Sequence, residues 1–178
     1  MERAVAEFGR ALSVVAPADT RYQIETRLGL GAALVDLGRV DDGIATMEGA
    51  LAFDPTLPET LASLSEGWWH RGDWDRAESF AERALAAKPE LGNALLVLGA
   101  ARTARGDLEG AAEVLGRAVR SNLDGALARL NLASIYARLG RTGEACAAWR
   151  HVLQLPEALP DERERAARES SGAGCAGL

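Results

Sequence analysis

Four stretches decide the reading of this chain: LGRVDDGIATMEGAL (residues 37–51), RGDWDRAESFAERAL (71–85), RGDLEGAAEVLGRAV (105–119) and LGRTGEACAAWRHVL (139–153). Their glycines Gly38, Gly72, Gly106 and Gly140 stand 34 residues apart with no insertion. Other columns keep the same step: Leu30, Leu64, Leu98 and Leu132; Ala50, Ala84 and Ala118 with Val152; Leu51, Leu85, Val119 and Leu153; Pro55 and Pro89. A fixed period of this length, held by many independent columns, marks a repeat architecture. Each supersecondary unit recurs and buries its apolar face against its neighbours.

Each unit reads as two helices. The first, as in Glu59 to Arg71, places Leu61, Leu64 and Trp68 at helical spacing. The repeated glycine suits the left-handed position that ends a helix. Asp73 or Asp107 follows it and is placed to cap the next helix. The second helix gathers Ala77, Phe80, Ala81, Ala84 and Leu85 on one face, and Pro55 or Pro89 stops it because proline has no N–H to donate. Gly31, Ser65, Gly99 and Ala133 on the first helices, and Gly43, Ala77, Ala111 and Ala145 on the second, are small where the two helices must approach closely.

These columns resemble the tetratricopeptide repeat family. The matching residues are the pairs Leu30–Gly31, Leu64–Ser65, Leu98–Gly99 and Leu132–Ala133, the aromatics Trp68 and Tyr136, the small Ala77, Ala111 and Ala145, and Ala84 and Pro89. The resemblance covers Ile24 to Leu159. Arg27, Arg129 and Arg102 depart from it where the family prefers large apolar residues or tyrosine, and Leu123 and Glu157 replace the terminal proline. It implies an all-α fold, a right-handed superhelical solenoid of antiparallel helix pairs. The expected organisation is an array over 1–159, with an orphan second helix at 1–16 and repeats at 24–57, 58–91, 92–125 and 126–159. A short loop, Pro17 to Arg21, joins the orphan helix to the repeats. A charged capping helix at 160–170 and a Gly/Ser/Ala-rich tail at 171–178, read as disordered, complete the chain.

In this family the first helices line a concave groove that receives a partner. By that analogy the groove residues are Leu28, Ala32, Val35 and Asp36; Ala62, Glu66, Trp69 and His70; Leu96, Ala100, Thr103 and Ala104; and Leu130, Asn131, Ser134, Ala137 and Arg138. Sequence neighbours on a helix point about 100° apart, so with Trp68 in the packed column Trp69 turns toward the groove. Two readings of Trp69 stand side by side: an anchor for a ligand, or packing against a neighbouring unit. The basic clamp of carboxylate-binding family members is not matched, because Leu28, Ala32, Ala62, Glu66 and Thr103 stand at the comparable positions. Net charge runs from −4 over residues 1–57 and −3 over 58–91 to 0 over 92–125, +2 over 126–159 and −1 over 160–178. That gradient either orients a bound peptide, its basic part toward Asp36 and Glu66, or is ordinary solvated surface.

Composition bounds the alternatives. The 178 residues are 48% hydrophobic and 26% charged, which excludes disorder of the whole chain. No long uncharged stretch exists, so no membrane helix is expected. A net charge of −6 argues against nucleic acid as a partner. Cys146 and Cys175 make neither a disulfide framework nor a CxxC site, and Cys146 reads as a partly buried small residue. Residues 1–18 look like an amphipathic helix and not a signal peptide, so a cytoplasmic location is expected.

Catalytic chemistry is not in view. His70 and His151 fall on different helices and form no metal set with Cys146. Gly29–Leu30–Gly31 lies inside a helix with no preceding strand, so it is no phosphate loop. Asp41–Asp42 reads as charge at a helix start. The expectation is a non-catalytic scaffold with no cofactor and no metal, binding a protein or peptide partner. Its rivals are an accessory module of a larger enzyme, and a self-assembling array joined through an exposed Phe8 and Ala11 on the N-terminal helix.

Overall fold

A computed structural model describes residues 1–14, 19–121 and 125–175, all-α throughout. The helices are α1 (Glu2–Val14), α2 (Thr20–Asp36), α3 (Val40–Glu48), α4 (Pro58–Arg71), α5 (Trp74–Ala87), α6 (Gly92–Ala104), α7 (Leu108–Arg120), α8 (Gly125–Arg138), α9 (Thr142–Gln154) and α10 (Pro160–Gly172). They fall into two compact units, Met1–Val97 and Leu98–Leu178.

The helix boundaries follow from the repeated residues. Gly38, Gly72, Gly106 and Gly140 all have positive φ, between 74° and 85°, a conformation that a side chain disfavours. After α4 the turn is closed by Gly72 N–H to Trp69 O (2.9 Å) and Asp73 N–H to Trp68 O (3.0 Å). Asp73 caps α5 by accepting from Arg76 N–H, and Asp107 caps α7 by accepting from Gly110 N–H. Arg39 and Arg141 occupy the same register at α3 and α9, and neither makes a side-chain cap.

In the first unit α1 packs on α2, α2 on α3, α3 on α4 and α4 on α5, and α2 also meets α4. The small-residue columns do what the sequence assigns to them. A Cβ at Gly43 would sit 2.7 Å from Gly31 O, and one at Gly31 would sit 2.9 Å from Gly43 O and collide with Met47 Cγ. Leu61, Leu64, Ala77, Ala81 and Ala84 form the core between α4 and α5. Phe8 of α1 is half-buried with its ring against Gly29, so the exposed Phe8 on which self-association was expected to rest is packed.

In the second unit α7 packs on α8, α8 on α9, and α10 on both α8 and α9. Its core gathers Leu130, Ala133, Ala145, Trp149, Val152 and Ala166. At Gly99 a Cβ would lie 2.7 Å from Leu115 Cγ, the counterpart of the Gly31–Met47 contact.

Several boundaries differ from expectation. Helix α2 begins at Thr20, ahead of residue 24, because Asp19 caps it by accepting from Tyr22 N–H. Thr20 and Arg21 therefore belong to the helix, while Pro17 and Ala18 of the expected loop lie outside the described residues, as does Leu123. Helix α3 stops at Glu48, before the apolar column ends, and Ala50 is buried from a turn. The expected disordered tail at 171–178 is corrected over its first part. Helix α10 continues to Gly172, and Cys175 is bonded to Cys146 of α9. The cysteine pair, read from sequence as independent residues, is thus a disulfide across 29 residues. Residues 176–178 lie outside the described part.

Candidate functional site

The first-helix faces are the expected working surface, and among the described residues a recess opens beside them in each unit. In the first unit α2 contributes Ala32, Val35 and Asp36, α4 contributes Ser63, Glu66, Gly67 and His70, and Met47 of α3 closes the floor of a cavity of about 170 Å³. Five expected residues therefore meet around one recess: Ala32, Val35, Asp36, Glu66 and His70. They meet because α2 and α4 pack side by side, which puts positions 34 residues apart next to each other, as Ala32–Glu66 and Asp36–His70 show. Asp36, Glu66 and His70 are exposed, so the mouth is acidic and the floor apolar.

Trp69 lies beside this recess and not in its lining. It is half-buried, with its ring 4.8 Å from His70 and 6.3 Å from Trp74 of α5, both edge-on. The aromatic neighbour comes from its own helix pair. Leu28 and Leu96 are half-buried and line neither recess. Trp68, by contrast, is buried, and Arg76 stacks over its ring at 4.3 Å.

The second unit departs from expectation. Its recess, about 580 Å³, is lined by Ser134, Ala137 and Arg138 of α8, Thr142 and Trp149 of α9, Arg165 and Glu169 of α10, and Gly172 and Ala173. Asn131 and Ser134, both expected to line the groove, are engaged by the chain itself. Arg165 donates to Asn131 Oδ1 at 3.2 Å and to Ser134 Oγ at 3.3 Å, and Ser134 Oγ donates to Glu169 Oε2 at 2.5 Å. Arg165 also pairs with Glu169 at 2.8 Å. The reason is the register: Arg165 is the 34-residue continuation of Asn131, so α10 docks as a further first helix would. That docking leaves Arg138 exposed at the mouth. Thr103 is spent on its own helix, donating to Gly99 O at 2.7 Å.

Burial alone would raise the Glu169 carboxyl, but the Ser134 and Arg165 hydrogen bonds outweigh it and hold the group below the usual carboxylate range. Trp149 Nε1 is buried without a partner in hydrogen-bonding geometry, and its pull on Glu169 is the weakest of the set. Among the described residues no group of three or more His, Cys, Asp or Glu is placed to hold a metal ion, and no helix is long and apolar enough to cross a membrane.

Sequence reasoning missed Ser63, Gly67, Met47, Thr142, Trp149, Arg165 and Glu169. Extending the period past residue 159 would have found Arg165, since Pro160 and Arg165 continue the columns of Ala126 and Asn131.

Comparison with known proteins agrees with the fold. The family model described as tetratricopeptide repeat matches residues 69–115 and 96–161, which together span just over half of the chain. A thermophilic TPR protein of Thermus thermophilus is similar at 24% identity and a TM-score of 0.77, covering 92% of this chain and 87% of that one. MamA is similar at 20% identity and 0.69, covering 92% and 89%. YrrB, described as a TPR protein with an unusual peptide-binding site, is similar at 18% identity and 0.68, covering 98% and 87%. No curated protein matches.

Proposed function

Because the chain belongs to the tetratricopeptide repeat family, we propose that it is a non-catalytic scaffold that holds a peptide or a segment of a partner protein on its first-helix faces. The observation that carries this reading is the recess of the first unit, where Ala32, Val35, Asp36, Glu66 and His70 converge beside the half-buried Trp69. An apolar floor with a few polar groups at its mouth is what a side-chain pocket needs: the floor supplies burial energy, and the polar rim fixes orientation. Trp69 is the anchor. Its ring is rigid, large and partly open, and packing against Trp74 holds it in place before a ligand arrives. In the second unit Arg138, exposed at the mouth of that unit's own recess, is the residue of that face suited to orienting a partner. Asn131 and Ser134 are not offered to a partner there, since α10 uses them.

A peptide-binding relative of similar fold supports the reading. The test begins with partners captured from native lysate on the immobilised chain, followed by calorimetry of the identified partner with wild type, Trp69→Ala and Arg138→Glu. Loss of an anchor costs about 1–2 kcal/mol or more. A Trp69→Ala affinity within about 0.5 kcal/mol of wild type sinks the anchor role.

A further inference from the structure

We infer that the Cys146–Cys175 disulfide is a thiol–disulfide exchange site with a dithiol reductant as its chemical partner, and that its redox state decides whether the segment after α10 is fastened to α9. The bond joins α9 to that segment at a Cα–Cα distance of 5.6 Å, inside the range that an unforced bridge spans. Both cysteines are half-buried, neither fully withdrawn from solvent. The lability of a disulfide rises with its exposure to solvent, so a bridge that is only half-buried is open to exchange.

The backbone delivers Cys175 to its partner. After α10 the chain turns at Gly174, whose φ is 72°, with Gly174 N–H donating to Ser171 O (3.1 Å) and Cys175 N–H to Ser170 O (3.0 Å). This glycine cap folds the chain back, and Ala173 and Cys175 rest against the core around Trp149. Upstream, α10 is held without sulfur. Ala166 and Ser170 are buried. The Arg163 guanidinium donates to Leu153 O (2.7 Å), Ala158 O (3.1 Å) and Leu155 O. Arg165 and Glu169 hold Asn131 and Ser134. Cutting the disulfide therefore spares the docking of α10 and removes the covalent tie from residues 173–175 alone.

The exchange balances as follows. One thiolate of the reductant attacks either sulfur and forms a mixed disulfide, and the displaced cysteine takes up a proton. The second thiol of the reductant then displaces the other cysteine. The pair gains two electrons and two protons, and the reductant leaves as a disulfide. Gly172 and Ala173 line the recess that contains Arg138, Thr142 and Trp149, so release of the segment loosens one wall of it. Only this last step rests on the proposed use of the first-helix faces.

The test uses the full chain, with no partner. Protein prepared without reductant should show no free thiol after denaturation, and two after treatment with dithiothreitol. Amide exchange at Ala173, Gly174 and Cys175 should then rise at least about tenfold, with α8 and α9 unchanged. Cys146→Ser should show the fast exchange with or without reductant. Two free thiols from the start, equal exchange in both redox states, or acceleration spread through α8 and α9 would each overturn the inference. Because the readout is exchange and not partner capture, it stands or falls apart from the scaffold reading.

Discussion

Replacing Gly31 by alanine probes the close approach on which each helix pair depends. The new Cβ would fall onto Met47 Cγ and lie 2.9 Å from the backbone oxygen of Gly43. The thioether chain can swing aside, but the carbonyl can retreat only if α3 moves. That movement is opposed because Gly43 is as tightly placed on its own side, against Gly31 O and Val35. Overpacking of this kind costs about 1–3 kcal/mol. Helix propensity works the other way, since alanine in a helix interior gains about 0.5–1 kcal/mol over glycine. Because one clashing atom belongs to the backbone, the cost falls in the upper half of that range, and the net expectation is a destabilisation of about 1–2.5 kcal/mol. Gly9 of α1 supplies the control, because a Cβ there meets nothing within 4 Å. Gly9→Ala keeps only the propensity term and should stabilise α1 by about 0.5–1 kcal/mol. Urea unfolding followed by far-ultraviolet circular dichroism compares the three proteins at equal m-values. If Gly31→Ala unfolds at the same or a higher urea concentration than wild type, the tight seating of α2 on α3 is wrong.

Two further substitutions bear on buried polar groups. Thr60 is fully buried and its Oγ1 has no partner, so the near-isosteric Thr60→Val should stabilise by about 1 kcal/mol. Calorimetry should show Tm rising by about 2–4 °C, and a fall in Tm would mean that the hydroxyl is satisfied. Glu169 has a folded-state carboxyl below its ordinary value. The stability it contributes is therefore complete above the unfolded pKa, and it is lost as pH falls through the lower folded one. The gap in urea midpoint between wild type and Glu169→Gln should be open at pH 7 and should narrow below about pH 4.5. A gap of constant size would remove the carboxylate from the docking of α10.

The repeat was legible because its signals are local. A positive φ after each first helix demands glycine, so Gly38, Gly72, Gly106 and Gly140 announce themselves. The caps at Asp73 and Asp107 do so too. The first-unit recess was legible for the same reason: side-by-side first helices bring equivalent positions together, and five expected residues met there. What escaped depends on contacts between distant residues that hold no period. Arg165 and Glu169 reach α8 through long side chains that resemble solvated surface in a charged helix. Cys146 occupies a column of unlike residues, and its partner stands in a stretch whose composition reads as loose tail. Trp69 fell between its two readings, since the ring that packs on it is Trp74, the next aromatic along the chain.

The docking of α10 covers a flank of the second unit. A helical unit offers its successor an adhesive flank, and any chain that left the α8–α9 flank bare would invite another molecule to add there. Here α10 covers that flank, and the face it leaves exposed is mostly charged, with Asp161, Glu164 and Arg168 around Ala167 and with Leu159 standing open at its start.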